Sequence, residues 1–99
     1  MQLSQIDASL LIPLHVLIQE QSVSRAAKRL GLSPSATSHT LSRLREALGD
    51  PLLVRSGRKL VLTPRAEELR AVVQRTVEGL EQVFLARQEF TPETLRRTF

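Results

Sequence analysis

The chain has 99 residues, of which 41% are hydrophobic and none is cysteine, and its formal net charge is +4. This length suits one small domain with an appendage and excludes a second full domain. The composition excludes disulfides and thiolate metal sites, and the lack of a signal peptide or of an apolar run of about 20 residues predicts a cytoplasmic protein.

Positive charge is concentrated in the middle of the chain. Residues 25–65 carry nine basic and two acidic residues, whereas residues 1–24 and 66–99 are each slightly acidic. A concentrated basic surface indicates a polyanionic partner. The chain has no Trp or Tyr, and its three Phe lie outside the basic block, so it lacks aromatic platforms on which unpaired bases could stack. Double-stranded DNA is therefore favoured over single-stranded DNA or RNA, and a nucleoid-associated location is expected.

A first helix is predicted from four apolar residues at helical spacing, and it ends near Glu20. These residues form one face of the helix: Leu10, Leu14, Leu17 and Ile18. Pro13 cannot donate a backbone hydrogen bond and disfavours helical geometry at the residue before it. The helix is therefore expected either to begin late or to bend at Pro13.

Two further helices are predicted on either side of Gly31. Ser24 is expected to cap the second helix, which runs over residues 25–30 and stops at Gly31. Ser33 suits the cap of the third helix, and Pro34 suits its first turn, where a backbone N–H has no helical partner. The chain thus has the order helix, short turn, helix.

The third helix is expected to reach about Leu48, with Gly49 ending it, and to present a polar outer face. Its inward stripe is narrow and consists of Leu41, Leu44 and Leu48. The side chains left facing outward are Ser35, Ser38, His39, Ser42 and Arg43. A helix with such an exposed polar face fits the major groove of DNA.

A basic β-hairpin is predicted to follow the third helix. Residues 51–54 and 60–62 favour strands, and the loop between them, residues 55–59, contains Gly57. Three of its five residues are basic, namely Arg55, Arg58 and Lys59. The order of three helices and a hairpin predicts a mainly α fold, a winged helix-turn-helix with a two-stranded wing, over residues 1–63.

A long fourth helix is predicted over residues 64–90. Thr63 and Pro64 repeat the earlier start signal, and the first turn carries Glu67 where the helix dipole favours an acid. Its length of about 40 Å exceeds what the small domain can cover. A seam at steps of three and four, the coiled-coil spacing, consists of Leu69, Val73, Thr76, Leu80, Val83, Arg87 and Phe90. This seam is expected to pack either on the first helix or on a second copy of the chain. The length of the helix favours the second copy, so a dimerisation helix is predicted.

Roles in DNA binding follow from these positions, because side chains in the N-terminal half of the third helix reach base edges. The residues expected to contact bases are Pro34, Ser35, Ser38 and His39. The residues expected to contact the phosphate backbone are Ser22, Ser24, Arg25, Thr40, Arg43, Arg55 and Lys59. Arg58 at the wing tip is expected in an adjacent minor groove. Two alternatives stay open: Ser24 could serve only as a helix cap, and Arg55 could only brace the hairpin.

An enzyme is not predicted, and neither a cofactor nor a metal is expected. Two His and no Cys provide neither a metal cluster nor a nucleophile with its base. Ser38 and His39 are adjacent and lie about 100° apart on a helix, so they cannot form a catalytic pair. The alternative to DNA binding is a coiled-coil protein-interaction module with a non-specific basic surface.

The residues of the helix-turn-helix and wing also resemble those of the LysR-type transcriptional regulators. That family's pattern of paired Ala, Leu, a recognition helix, Leu-Gly and Arg matches residues 24–41, 48–55 and 62–63 without a gap, and the resemblance extends over about residues 7–90. Ser35 and His39 occupy positions that often hold Pro and Arg in the family, and they bear on which base sequence is read.

The resemblance implies a homodimer that reads an interrupted inverted repeat, and a full-length protein that is commonly a tetramer. It also implies a C-terminal effector-binding domain that responds to a small molecule. Residues 91–99 are expected to be the start of that domain, and the rest of it is expected to be missing from this chain.

Overall fold

The computed structural model describes residues 5–89, with side chains described up to residue 85. Four helices and one hairpin follow each other along the chain. They are α1 (Leu11–Glu20), α2 (Val23–Leu30), α3 (Pro34–Leu48), β1 (Leu53–Ser56), β2 (Lys59–Leu62) and α4 (Pro64–Glu89). The two strands pair antiparallel, with Leu53 opposite Leu62 and Ser56 opposite Lys59. This arrangement confirms the predicted winged helix-turn-helix followed by a long helix.

The first helix begins late and places Pro13 in its first turn. A single 3-10 turn, Ala8–Leu10, precedes it, and the Asp7 carboxylate accepts a hydrogen bond from the Ser9 N–H. Pro13 is the third residue of α1, where a backbone N–H has no helical partner to lose. Of the two predicted alternatives, the late start is therefore correct.

The cap of α2 is Ser22, so the prediction that Ser24 caps this helix is wrong. The Ser22 hydroxyl accepts from the Arg25 N–H at 3.2 Å, and Val23 is the first helical residue. Both serines are capping residue types two positions apart, and local sequence does not decide between them. Ser24 lies within the first turn, and its hydroxyl is 3.2 Å from that of Ser22.

The start and end of α3 confirm the prediction. The Ser33 hydroxyl accepts from the Ala36 N–H at 3.1 Å, Pro34 opens the helix, and Gly49 ends it with a φ of +63°. That left-handed conformation is one that glycine adopts without a steric penalty.

Ser33→Ala is expected to lower the free energy of unfolding by about 1 kcal/mol, because the Ala36 N–H loses its acceptor. Urea denaturation followed by circular dichroism measures this loss. Ser42→Ala is the matched control, since Ser42 is exposed in the same helix and no hydrogen bond of its hydroxyl is seen within the described part of the chain. Equal stability of the two variants would contradict the assigned cap.

The turn of the wing is tighter than predicted, because β1 lies two residues later in the chain than the predicted strand and β2 begins one residue earlier. Because Ser56 pairs with Lys59, only Gly57 and Arg58 form the turn, in place of a loop of residues 55–59. Gly57 has a φ of +65°, as a two-residue hairpin turn requires at that position. The strand ends are polar and charged, so hydrophobic patterning did not reveal them.

A single apolar core joins the helices and the base of the wing. α1 lies at its centre and contacts α2, α3 and α4. Leu17 and Leu52 are each 2% exposed, and Thr37 on α3 is fully buried. Thr37 continues the Leu41 and Leu44 stripe by one turn, and its hydroxyl donates to the Ser33 carbonyl at 3.0 Å. This bond within the helix satisfies the hydroxyl, which lets a polar residue occupy the core.

A set of hydrogen bonds fastens the wing to the helices on both sides of it. Asp50 Oδ2 accepts from the Leu52 N–H at 2.8 Å and from the Thr63 hydroxyl at 2.6 Å. Thr63 Oγ1 in turn accepts from the Ala66 N–H at 3.1 Å and so caps α4. Arg45 on α3 donates to the Pro51 carbonyl. The base of the wing is thereby held between α3 and α4.

The first half of α4 packs on the core of its own chain. Val73 and Val77 are 5% and 6% exposed, and Leu69 packs against the same core. Thr76 of the predicted seam is exposed, and its hydroxyl donates to the Val72 carbonyl. The buried positions follow steps of four, so packing on α1 holds for this half of the helix.

Residues 80–85 of α4 include four exposed apolar side chains, those of Leu80, Val83, Phe84 and Leu85. Leu80 is 37% exposed, Val83 is 68% exposed and Phe84 is 67% exposed. The side chain of Arg87 and the whole of Phe90 lie outside the described residues. No helix within residues 5–89 combines the length and the hydropathy needed to cross a lipid bilayer.

Candidate nucleic-acid interface

The outer face of α3 carries polar side chains that are exposed to solvent. Pro34, Ser35, Ser38 and His39 are all exposed. Within the described part of the chain, the side chains of Ser38 and His39 make no hydrogen bond to another residue. Their donors and acceptors are therefore available to base edges, as direct readout in the major groove requires. Ser35 differs, because its hydroxyl is 3.3 Å from that of Ser33.

Thr40 is half-buried, and its hydroxyl is hydrogen-bonded within α3. The Thr40 Oγ1 donates to the Ala36 carbonyl at 3.0 Å. A hydroxyl has a single proton to donate, so Thr40 can donate to a phosphate only after this bond breaks.

The N-terminus of α2 and the wing line a common cleft of about 800 Å³. The polar and basic side chains that the structure brings together there are Ser22, Ser24, Arg25, Arg55, Arg58 and Lys59. They come from two groups, residues 22–25 and 55–59, which are separated by 30 positions at their nearest, and each of them was predicted to contact DNA. A helix N-terminus and several cations around one cleft make a surface suited to phosphate groups.

The three basic residues of the wing have no acidic partner within residues 5–85. Arg55, Arg58 and Lys59 are exposed, and none of the salt bridges among the described residues includes them. Unpaired cations retain their full attraction for a polyanion, whereas paired ones must first leave their carboxylates. The wing is thus the part of the cleft best prepared for phosphate.

Arg25 is held by the end of α1. Its Nε donates to Glu20 Oε1 at 3.2 Å, and its Nη2 donates to the Glu20 carbonyl oxygen at 2.7 Å. Arg29 takes the second carboxylate oxygen of Glu20 at 3.0 Å. Glu20 therefore binds two arginines of the basic block at once.

Arg43 is also paired within the chain. Its Nη2 donates to Asp7 Oδ2 at 2.6 Å. The hydrogen bond from the Ser9 hydroxyl, with smaller contributions from the Ser9 N–H and Arg43, lowers the pKa of the Asp7 carboxyl below its ordinary value. Asp7 therefore stays ionised at neutral pH, and a phosphate would have to compete with it for Arg43.

Sequence reasoning did not identify the residues that pair with the predicted contacts. Glu20 and Asp7 are the acids bound to Arg25 and Arg43, and Asp7 is 36 positions from its partner. Composition gave no indication of such long-range pairs. The pair of Glu20 and Arg25 was not indicated by helical periodicity either, because a turn separates α1 from α2.

A candidate metal centre is not found among residues 5–85. No group of three or more His, Asp or Glu side chains that could hold a metal ion occurs among the described residues.

Comparison with known proteins places these features in a family. Residues 10–67 match the model of the bacterial regulatory helix-turn-helix proteins of the lysR family. The HTH-type transcriptional regulator LinR of Sphingobium indicum is 42% identical over 99 residues, which is 100% of this chain and 33% of that protein. The chain spans about a third of the length of the curated relatives it matches.

Solved structures share the fold. A crystal structure of a probable transcriptional regulator from Pseudomonas aeruginosa aligns with a TM-score of 0.81 and 37% identity, over 91% of this chain and 30% of that one. The BenM DBD in a complex with catB site 1 DNA aligns with a TM-score of 0.73 and 23% identity, over 84% of this chain and 93% of that one. At 23% identity the second similarity shows the fold alone.

Proposed function

The chain belongs to the lysR family of bacterial regulatory helix-turn-helix proteins, and we propose that it binds DNA as a homodimer that reads an inverted repeat. The family and the relatives make it a DNA-binding domain of a transcriptional regulator, and these relatives are not enzymes. The observation that carries the proposal is that one chain has both an exposed polar face on α3, where the side chains of Ser38 and His39 make no hydrogen bond within the described residues, and a basic cleft beside the wing.

In this proposal α3 enters the major groove and its first two turns read bases. Ser38 and His39 are the main base contacts, because their polar atoms are exposed and make no hydrogen bond within the described chain. Ser35 and Pro34 lie at the edge of this face. A His ring nitrogen can donate to guanine acceptors, and a Ser hydroxyl can donate or accept.

The cleft would hold one strand of the phosphate backbone. Ser22, Ser24, Arg55 and Lys59 contact phosphates there, and Arg58 at the wing tip reaches an adjacent minor groove. Arg25 and Arg43 also bind phosphates, once the phosphates displace Glu20 from Arg25 and Asp7 from Arg43. Thr40 remains a backbone contact only if its hydroxyl turns away from the Ala36 carbonyl.

Dimerisation is assigned to the second half of α4. Leu80, Val83 and Phe84 are large apolar side chains that remain exposed when the chain is considered alone, and exposed apolar patches of this kind mark interaction sites. In the predicted seam Thr76 precedes these residues and Arg87 and Phe90 follow them, whereas Leu69 and Val73 belong to the seam and also pack on the core of their own chain. Two-fold symmetry through α4 would place two copies of α3 on successive major-groove faces, which matches an inverted repeat.

The proposed division of the chain has three parts. Residues 1–63 form the DNA-binding head, residues 64–90 form the dimerisation helix, and residues 91–99 lead into an effector-binding domain. In a full-length protein that domain would bind a small-molecule effector and allow tetramers to form.

Salt dependence tests DNA binding against the alternative of a coiled-coil interaction module. Duplex affinity measured by fluorescence anisotropy is expected to fall with salt, with a slope of about −0.9 in log K against log salt for each phosphate neutralised. An interaction module whose basic surface only keeps it soluble would show no duplex affinity even at low salt, and that result would overturn the proposal. The binding of its protein partner would depend only weakly on salt.

Lys59→Ala is expected to weaken binding to every duplex alike by several-fold, because it removes one phosphate contact. The salt slope should become shallower by about 0.9. The measurement compares a selected duplex with one of random sequence at several salt concentrations. Loss on the selected duplex alone would instead assign Lys59 to base recognition.

A further inference from the structure

Glu20 is the last residue of α1, and its carboxylate lies between two arginines of α2. One carboxylate oxygen accepts from Arg25 at 3.2 Å, and the other accepts from Arg29 at 3.0 Å. The Glu20 side chain is 23% exposed, whereas those of Arg25 and Arg29 are 65% and 45% exposed. The acid is thus the better shielded member of each pair, where charge interactions are stronger than in open water.

Arg29 fixes the carboxylate in this position. The same Arg29 Nη1 that binds Glu20 also donates to the Gln19 side-chain oxygen at 2.7 Å. Because Arg29 is held by two neighbouring acceptors, Glu20 is kept directed at Arg25. The arrangement is a fixed cluster of one acid and two bases.

Glu20 also lines the cleft assigned to the DNA backbone. Among the residues that line this cleft in the described part of the chain, Glu20 is the one acid, and the cations that line it are Arg25 and, from the wing, Arg55, Arg58 and Lys59. A carboxylate there repels an incoming phosphate and occupies a guanidinium that the phosphate would otherwise bind.

We propose that Glu20 is an intramolecular competitor of DNA phosphate for Arg25, and that it lowers the affinity of the chain for every duplex regardless of base sequence. This inference rests on the proposed function. Glu20 contacts no base in the proposed complex, so it affects the phosphate contacts alone. Its effect on the affinity is therefore the same for specific and random DNA.

The opposite role, in which Glu20 positions Arg25 for phosphate, is disfavoured by a second bond. Arg25 Nη2 donates to the backbone carbonyl of Glu20 at 2.7 Å, and this anchor is independent of the residue-20 side chain. A glutamine at this position keeps one oxygen that can accept from Arg25 Nε. Its NH2 replaces the oxygen that accepts from Arg29, and Arg29 keeps the Gln19 side-chain oxygen as its acceptor. The Glu20→Gln change therefore removes the negative charge and leaves the orientation of Arg25 in place.

The test measures Glu20→Gln binding to a selected duplex and to a random one by fluorescence anisotropy, after thermal melting shows that the variant is folded. Affinity for both duplexes is expected to rise by the same factor, roughly fivefold, as one shielded carboxylate is removed from a phosphate site. Glu78→Gln is the matched control. It removes the same charge from α4, outside the cleft, where Glu78 contacts Gln74, and it should change affinity by less than about twofold because screening weakens distant charges.

A double variant shows whether the gain acts through Arg25. In an Arg25→Gln background, the gain from Glu20→Gln should shrink towards that of the Glu78→Gln control. A full gain in that background would overturn the assignment to Arg25.

The outcomes separate this inference from the proposed function. If the unaltered chain binds no duplex, the proposed function fails. If it binds but Glu20→Gln binds no better than Glu78→Gln, or binds more weakly, the competitor role of Glu20 is overturned while DNA binding stands. Unequal changes on the two duplexes would also overturn it.

Discussion

Val83→Asp is expected to convert the chain from a dimer into a monomer. Val83 is 68% exposed on α4, and the proposed dimer would bury it against a second copy. An aspartate there would place an unpaired carboxylate in an apolar interface, which is strongly unfavourable. Sedimentation equilibrium measures the change in mass directly.

The same variant is expected to lose about 100-fold or more in affinity for a duplex that carries two half-sites. Two linked heads bind the second half-site at a high effective concentration, and monomers lose that advantage without losing any contact to DNA. Affinity for a single half-site should stay nearly unchanged.

Gln82→Asp is the control for the dimer experiment. It adds the same charge one residue earlier, about 200° around the helix from Leu80, and should leave the dimer intact. A dimer that survives Val83→Asp, or an unaltered chain that is already monomeric at micromolar concentration, would contradict the assignment of the interface to the second half of α4.

Ser38→Ala combined with His39→Ala is expected to abolish base preference. Each good base contact contributes about 1–3 kcal/mol of discrimination, so the pair should cost roughly 100-fold on the preferred duplex. On random duplexes the loss should be small, because the phosphate contacts of the wing remain.

The matched comparison for this variant is Lys59→Ala, which removes a phosphate contact and should affect all duplexes alike. Competition titrations of a labelled preferred duplex against random duplex give the ratio of the two affinities for each protein. Equal losses on both duplexes for the α3 variant would show that Ser38 and His39 do not read bases.

The sequence predicted the parts of the fold that depend on local signals. Ser33, Pro34 and Gly49 set the bounds of α3, because a cap, a first-turn proline and a left-handed glycine each act within one helical turn. The sequence did not separate Ser22 from Ser24 as the cap of α2, since both are good caps and the outcome depends on how α2 packs.

The packing of α4 shows where periodicity alone is insufficient. Steps of three and four over residues 69–90 fit a coiled coil, but steps of four from Val73 to Val77 fit a straight helix lying on α1 equally well over this short distance. The structure assigns Val73 and Val77 to the core and leaves Leu80 and Val83 exposed. In the proposed dimer, one helix would therefore pack on its own chain first and on the second copy further along.

The candidate interface was predictable in its residue types but not in its pairing. The basic block and the polar outer face of α3 were visible in the sequence, whereas the cleft between α2 and the wing depends on the tertiary fold. The Arg25 and Arg43 ion pairs were missed for the same reason. The cations therefore fall into two groups. Those of the wing are free to bind phosphate, whereas Arg25 and Arg43 must first release the carboxylates to which they are bound.

Selection of bound sequences from a random pool of duplexes tests the central claim most directly, because it asks whether α3 reads bases at all. We expect the pool to converge on a sequence with two-fold symmetry, with half-sites about one or more helical turns apart, and the Ser38→Ala, His39→Ala double variant to select no such sequence. If the unaltered chain binds duplexes from the pool but no base sequence is enriched among them, base reading by α3 is contradicted.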